Sequence, residues 1–149
     1  MLSPLSAAVR TAQLPAGVEL VSVASCRDAR GSLVALERHS PMPFSPVRTF
    51  VIRDVPCGQV RARHALSCHE LLWLLTGSCV ATVHDGRTSS TIYLKADAHA
   101  LVIAAGVWIE LAEFARGTIL MVLASKTYAE TETFAEPQPA LIAAHAKRS

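Results

Sequence analysis

The chain has 149 residues, of which 51% are hydrophobic and 17% are charged, and its formal net charge is +2. This length suits one domain with a buried core, and the composition excludes a mainly disordered chain. The small charge argues against binding to nucleic acid or to a membrane surface, and no run approaches the roughly 20 apolar residues that span a bilayer.

The first 16 residues contain Pro4 and Pro15 and show no periodicity, so they are predicted to form an N-terminal arm that either packs on a partner subunit or is loose. The first 20 residues also lack the continuous apolar core of a secretory signal, which favours a cytoplasmic location. A single domain is expected over residues 17–136, followed by a tail over 137–149 that is partly helical.

Short apolar and β-branched runs, separated by turn residues, occupy most of the chain between the arm and the tail. This regular spacing favours a β-sandwich or β-barrel over an α/β fold, and only residues 140–146 look helical. Strands are predicted at 18–24, 32–37, 47–55, 79–83, 90–94, 100–105, 107–111 and 118–124.

The segment from Gly58 to Gly77 carries the polar residues that stand out from this pattern. Alternate side chains of a strand point to the same face, so His64 and Leu66 are predicted to share one. Without a bulge, Glu70 joins them on that face. Gly77 is predicted to send the following strand back, and residues 84–86 (HDG) to close that strand in a hairpin.

The spacing of Gly58, His64, Leu66, Glu70 and Gly77 resembles the first motif of the cupins, G(x)5HxH(x)3E(x)6G, except that leucine replaces the second histidine. A narrower resemblance, to the dTDP-sugar (also written TDP-sugar) 3,4-ketoisomerases with a WxcM-like domain, covers roughly residues 26–130. Its matching residues are 28–33, Glu37, Pro43-Phe44, Arg48, 61–65, Gly77-Ser78, Asp85-Gly86, Val107-Trp108, Glu110, Phe114, 121–125 and Tyr128.

The resemblance implies an all-β fold, a single-domain cupin of the RmlC-like jelly-roll β-barrel type with a short C-terminal helix. It also implies a homodimer that uses no cofactor and binds a nucleotide sugar. Many cupins bind a metal through the two histidines and the glutamate of the first motif and a later histidine. Leu66 and Ile109 stand at two of these four positions, so no metal site is expected.

The reaction implied by the resemblance moves a ketone from C4 to C3 of a dTDP-4-keto-6-deoxyhexose through an enediol. It needs a base to remove the C3 proton, and His64 is the remaining candidate, with Glu70 as its catalytic partner. Arg48 and Arg61 are candidates for binding the diphosphate. The alternation of side chains along a strand places Arg61 on the face opposite His64, unless the strand begins after Arg61 or carries a bulge, so a surface role for Arg61 stays open.

The family patterns RGxHAH and KRVYYI also show what this chain has replaced. Leu66 stands in place of the second histidine, and Phe50 and Val51 in place of two tyrosines, with all three expected on one inner wall. None of these side chains transfers a proton. His64 therefore acts alone with help from Glu70 or water, unless a bulge turns Cys68 or His69 inward.

Two alternatives remain open. One is a catalytically silent cupin that binds a nucleotide sugar or a more apolar ligand, and the other is a structural partner of an active paralogue.

Overall fold

A computed structural model describes residues 14–39 and 41–147 of the chain. The regular structure of this part is almost all β, as predicted, with one helix near its C-terminal end. The elements are β1 (Val18–Ser22), β2 (Ala24–Asp28), β3 (Gly31–Ala35), β4 (Glu37–Arg38), β5 (Pro41–Met42), β6 (Arg48–Arg53), β7 (Arg61–Leu66), β8 (Glu70–Thr76), β9 (Ser78–His84), β10 (Ser89–Lys95), β11 (His99–Ile103), β12 (Trp108–Ala112), β13 (Ile119–Ala124), β14 (Thr133–Phe134) and α1 (Pro139–Ala146).

Ten of these strands form two five-stranded antiparallel sheets. Sheet I has the order β1-β11-β8-β13-β6, and sheet II has the order β10-β9-β12-β7-β14. Strands β2 and β3 pair as an antiparallel ribbon, and the short β4 and β5 pair in parallel. The two sheets form the layers of the predicted jelly roll.

The main core lies between the two sheets because their strands alternate apolar and polar side chains. In β9, Cys79, Ala81 and Val83 are fully buried, while the residues between them are partly exposed. A second apolar cluster lies on the other face of sheet I, where Met42 and Phe44 from the segment after β3 join other buried residues.

Gly77 joins β8 to β9, and these two strands belong to different sheets. The return predicted at Gly77 is therefore a corner between the sheets rather than a hairpin. Its φ of +86° is one that residues with a Cβ rarely adopt, and a Cβ there would lie 2.6 Å from Cα of Thr118. The predicted hairpin at residues 84–86 is confirmed, since β9 pairs with β10 from His84 and Ser89 onwards.

Helix α1 confirms the helix predicted at residues 140–146, and its Ile142 is buried in the main core. The structure describes only the last residues of the predicted N-terminal arm, and residues 1–13 lie outside the described part. Among these last residues of the arm, Leu14 packs on the main core, and the backbone N–H of Ala16 donates to Asp85 at 2.8 Å. Within residues 14–39 and 41–147, no helix has the length and apolar character needed to cross a membrane.

Candidate active site

A cavity of about 670 Å³ lies between sheets I and II. Strands β6, β8 and β13 of sheet I, strands β7 and β12 of sheet II, and residues 128–133 form its wall. Hydrocarbon side chains make up much of this wall, among them Ile52, Leu72, Ile109, Leu111 and Val122. A wall of this kind lowers the local dielectric and strengthens the electrostatic interactions of any polar group in it.

The segment around Gly58–Gly77 supplies polar residues to both sides of this cavity. His64 and Leu66 line it from β7 of sheet II, whereas Glu70 lines it from β8 of sheet I. The prediction that His64 and Leu66 share a face is confirmed. Glu70 was predicted on that same face, and instead it reaches the cavity from the opposing sheet. The chain crosses between the sheets at residues 67–69, so His64 and Glu70 belong to opposite walls.

Arg61 also lines the cavity, because β7 carries a bulge. Ile109 of β12 pairs with His64, but the next residue, Glu110, pairs with Ala62, which leaves Arg63 without a partner in the register. One extra residue reverses the alternation of side chains, so Arg61 joins the face of His64. The bulge required by the phosphate-binding hypothesis for Arg61 is therefore present.

Burial moves the pKa values of His64 and Glu70 in opposite directions. It lowers the pKa of the His64 imidazole, so the neutral ring is favoured near neutral pH. Glu70 is only 5% exposed, and burial raises its pKa to about 7, against a smaller lowering by the positive charge of Arg48. A neutral imidazole accepts a proton and a protonated carboxyl donates one, so the cavity holds a base and an acid together.

Arg48 lines the cavity from β6 with its guanidinium between two aromatic rings. The guanidinium carbon lies 5.2 Å from the centre of the Phe50 ring and 5.8 Å from that of Tyr128, both within cation–π range. Its Nε is buried without a hydrogen-bond partner among the described residues. Glu70 forms no ion pair with it in this part of the chain. The two rings therefore hold the arginine and its positive charge at the cavity wall.

The side chains of the cavity do not suit a metal ion. Leu66 and Ile109, at two positions where many cupins carry ligands, both line the cavity with hydrocarbon. Among the described residues, no group of three or more histidine, cysteine, aspartate or glutamate side chains is arranged to hold a metal. His64 and Glu70 alone fall short of the three or four protein ligands of typical sites.

Two of the three apolar replacements lie in the cavity wall, and the third does not. Phe50 and Leu66 line the cavity, but Val51 is 50% exposed on the outer face of sheet I. The prediction that Val51 belongs to the inner wall is wrong, because neighbouring residues of β6 point to opposite faces. At the corner before β8, Cys68 and His69 are not among the residues that line the cavity.

Cys68 is instead buried, and burial raises the pKa of its thiol, while a hydrogen bond with Thr131 acts in the opposite direction. His69 accepts a hydrogen bond at Nδ1 from the backbone N–H of Ala105, at 2.9 Å, and its ring packs against Phe44 and His145. Neither residue supplies the missing proton carrier.

Three polar residues of the cavity wall were not predicted as site residues from the sequence: Tyr128, Thr131 and Thr133. Tyr128 and Thr131 lie after β13 outside any strand, and Thr133 begins the two-residue strand β14, so periodicity gives no signal there. Thr133 pairs with Leu66 across β14 and β7, which places a hydroxyl beside the leucine. Tyr128 belongs to the residues that carry the family resemblance, and this was the available signal.

Comparison with known proteins gives a consistent result. The family model described as "WxcM-like, C-terminal" matches residues 16–139. The TDP-4-oxo-6-deoxy-alpha-D-glucose-3,4-oxoisomerase of Aneurinibacillus thermoaerophilus is 38% identical over 106 residues, which are 70% of this chain and 76% of that protein.

Two solved structures extend the likeness to three dimensions. A 3,4-ketoisomerase from Helicobacter canadensis is 32% identical, with a TM-score of 0.75 over 80% of this chain and 90% of its own. A histidine-to-asparagine variant of the 3,4-ketoisomerase from Thermoanaerobacterium thermosaccharolyticum, in complex with TDP-4-keto-6-deoxyglucose, is 26% identical, with a TM-score of 0.77 over 91% of this chain and 97% of its own. By sequence and by fold, this chain belongs to the WxcM-like family of cupins, together with TDP-sugar 3,4-ketoisomerases.

Proposed function

We propose that this chain is a 3,4-ketoisomerase of a TDP-4-keto-6-deoxyhexose. The observation that carries the proposal is that His64 and Glu70 lie on opposing walls of a cavity that two arginines also line. Burial lowers the pKa of His64 and raises that of Glu70 to about 7, so near neutral pH the imidazole can accept a proton and the protonated fraction of the carboxyl can donate one. Keto–enediol chemistry uses one group that removes a proton from carbon and one that protonates the carbonyl oxygen.

In the proposed first half of the reaction, His64 removes the proton from C3 of the sugar, and the Glu70 carboxyl gives its proton to the C4 oxygen. The product of this half is a neutral enediol, with an imidazolium and a carboxylate left on the protein. In the second half, Glu70 takes the proton of the C3 hydroxyl, and the imidazolium returns its proton to C4. The ketone is then at C3, and both side chains regain their starting states.

Arg48 and Arg61 are proposed to bind the diphosphate, since guanidinium groups form paired hydrogen bonds with phosphate oxygens. The position of Arg48 in the cavity wall and the bulge that turns Arg61 into the cavity support this role. The bound diphosphate would also offset the two positive charges in a cavity that is otherwise mainly apolar.

The test follows TDP-4-keto-6-deoxyglucose by NMR in D2O, where proton return to C4 from an exchangeable base introduces deuterium. We expect turnover with deuterium at C4, and a loss of about 10²- to 10⁴-fold in kcat for His64→Asn. His99→Asn is the matched control, because His99 is exposed at the start of β11. Saturable TDP binding without product or deuterium would contradict an isomerase.

A catalytically silent binding module for a more apolar ligand is the second candidate, and the hydrocarbon wall formed by residues such as Phe50 and Leu66 favours it. A silent module that binds a nucleotide sugar is tested by the turnover assay above. Native mass spectrometry of the purified protein separates the two candidates. A co-purified nucleotide sugar supports the isomerase, whereas an apolar or aromatic molecule in the cavity supports the binding module.

We also propose a homodimer formed through the outer face of sheet I. In the register of that sheet, Met121 lies between Val51 and Trp73, and Leu75 on the neighbouring strand is 45% exposed. Exposed apolar area of this kind is typical of subunit contacts. Val51→Asp should shift the mass measured by sedimentation equilibrium towards the monomer, whereas Thr91→Asp on sheet II should not. The cytoplasmic location stays a prediction.

A further inference from the structure

The bulge that turns Arg61 into the cavity is built from two residues in a disfavoured conformation. Ala62 has a φ of +66° and Arg63 a φ of +65°, the left-handed region that side chains with a Cβ avoid. Two consecutive residues of this kind persist only where the surrounding structure holds them. The contacts of the bulge therefore bear on whether Arg61 stays in the cavity.

One such contact is an ion pair between the bulge and the neighbouring strand. Nε of Arg63 donates to Oε2 of Glu110 at 2.9 Å. Glu110 is the residue of β12 at which the register shifts, and it pairs with Ala62. The ion pair thus joins Arg63, the extra residue of β7, to Glu110, the residue of β12 at which the pairing register shifts.

The ion pair lies outside the cavity. On β12, Ile109 and Leu111 line the cavity, so Glu110 between them points to the opposite face. The Arg63 side chain is 65% exposed and is not among the residues that line the cavity. Neither partner is placed to touch a ligand in the cavity.

We propose that the Arg63–Glu110 ion pair is a positioning device that holds the left-handed bulge and thereby keeps Arg61 in the cavity for binding the ligand's diphosphate. The proposal rests on the function proposed above in one respect, the diphosphate as the partner of Arg61. The claim about the bulge itself stands on the register, the two backbone angles and the ion pair.

The test measures TDP binding by calorimetry and uses the sign of the charge to separate positioning from simple electrostatics. Arg63→Gln removes a positive charge near an anion site, so weaker binding alone would be ambiguous. Glu110→Gln removes a negative charge, which by electrostatics alone should strengthen binding of TDP. If the ion pair positions Arg61, both variants instead raise the Kd, by about 2- to 5-fold, the range of exposed ion pairs.

The exchanged pair Arg63→Glu with Glu110→Arg should restore the Kd to within about 2-fold of the unchanged protein, because the contact is rebuilt with the opposite polarity. Arg30→Gln is the matched control, since Arg30 forms an exposed ion pair with Asp28 in the β2–β3 turn, away from the cavity. In turnover, the effect of Glu110→Gln should fall on KM rather than on kcat, because it concerns binding and not proton transfer.

A Kd for Glu110→Gln that is unchanged or lower would overturn the positioning role. Failure of the proposed function gives a different result, in which Arg61→Ala leaves the Kd for TDP unchanged or the unaltered protein binds no TDP. Hydrogen exchange without ligand tests the bulge in either case. Amide exchange of residues 61–64 should rise in Glu110→Gln but not in Arg30→Gln, and equal exchange in the two variants would also overturn the proposal.

Discussion

Replacing Glu70 by glutamine tests the electrostatics of the cavity without reference to any ligand. Glu70→Gln keeps the shape of the side chain and removes its charge. Burial raises the pKa of the folded-state carboxyl from 4.5 to about 7. This difference corresponds to about 3 kcal/mol of unfavourable free energy whenever the folded protein carries Glu70 as the carboxylate.

The sign follows from the two pKa values. Below pH 4.5 the carboxyl is protonated in both the folded and the unfolded chain, and its burial as a neutral group carries no charge penalty. Between pH 4.5 and 7 the unfolded chain ionises first, so the unaltered protein loses stability as the pH rises. Glu70→Gln avoids this loss and should be more stable by about 3 kcal/mol at pH 8, with little difference at pH 4.5.

His64 affects stability in the opposite direction, because its lowered pKa makes folding less favourable as the pH falls through its unfolded value of 6.5. That contribution is common to both proteins and cancels in the difference between them. Urea unfolding at pH 4.5 and pH 8, at one protein concentration, gives the two free energies. Glu19→Gln, which removes an exposed carboxylate from β1, is the control and should show no such pH dependence.

A difference between Glu70→Gln and the unaltered protein that is constant with pH would refute the reasoning. So would an unaltered protein more stable than the variant at pH 8. In either case Glu70 would be solvated or paired in the folded protein, and it could not be the proton donor proposed for the C4 oxygen.

Three further predictions concern the wall, the bulge and the corner. Leu66→His should raise kcat about 10-fold or more by returning a proton carrier to the cavity, and Phe50→Tyr should add to this gain, whereas Val51→Tyr on the outer face should not. Ala62→Gly should stabilise the protein by about 1 kcal/mol in urea unfolding, because glycine adopts a φ of +66° without strain, and a loss of stability would contradict this. Gly77→Ala should destabilise it by about 3 kcal/mol or more, measured in the same way, because the added Cβ meets the backbone of Thr118.

The sequence located most of the strands, because alternation and turn residues report local structure, but it did not predict β2, β5 or β14. The corner at Gly77 shows the limit of that information. A glycine with a positive φ serves a hairpin and a corner between sheets equally well, and the partners of β8 and β9 are set by strands distant in the chain. The same limit applies to Tyr128, Thr131 and Thr133, which reach the cavity through the tertiary fold alone.

The site residues show a second limit, which concerns the face of the strand to which each side chain points. His64 and Glu70 were predicted on one face, and the structure places them in one cavity but on opposing sheets. Arg61 depended on a bulge that the sequence does not announce, since the left-handed residues that form it are Ala62 and Arg63 rather than glycine. The prediction that Val51 faces the cavity is wrong because Phe50 does so, and adjacent residues of a regular strand point to opposite faces.

The apolar replacements in the wall have two opposing consequences for proton transfer. Leu66 and Phe50 each remove a group that could carry a proton, but they also make the cavity that Glu70 lines less polar. Low polarity is what raises the pKa of that carboxyl to about 7 and makes it a proton donor at neutral pH. Under the proposed function, the hydrocarbon wall is thus part of the mechanism, because it supplies in Glu70 an acid that a more polar cavity would keep ionised. Substitutions that restore polar groups near Glu70 should therefore reduce the contribution of its carboxyl to catalysis while they add a proton carrier of their own.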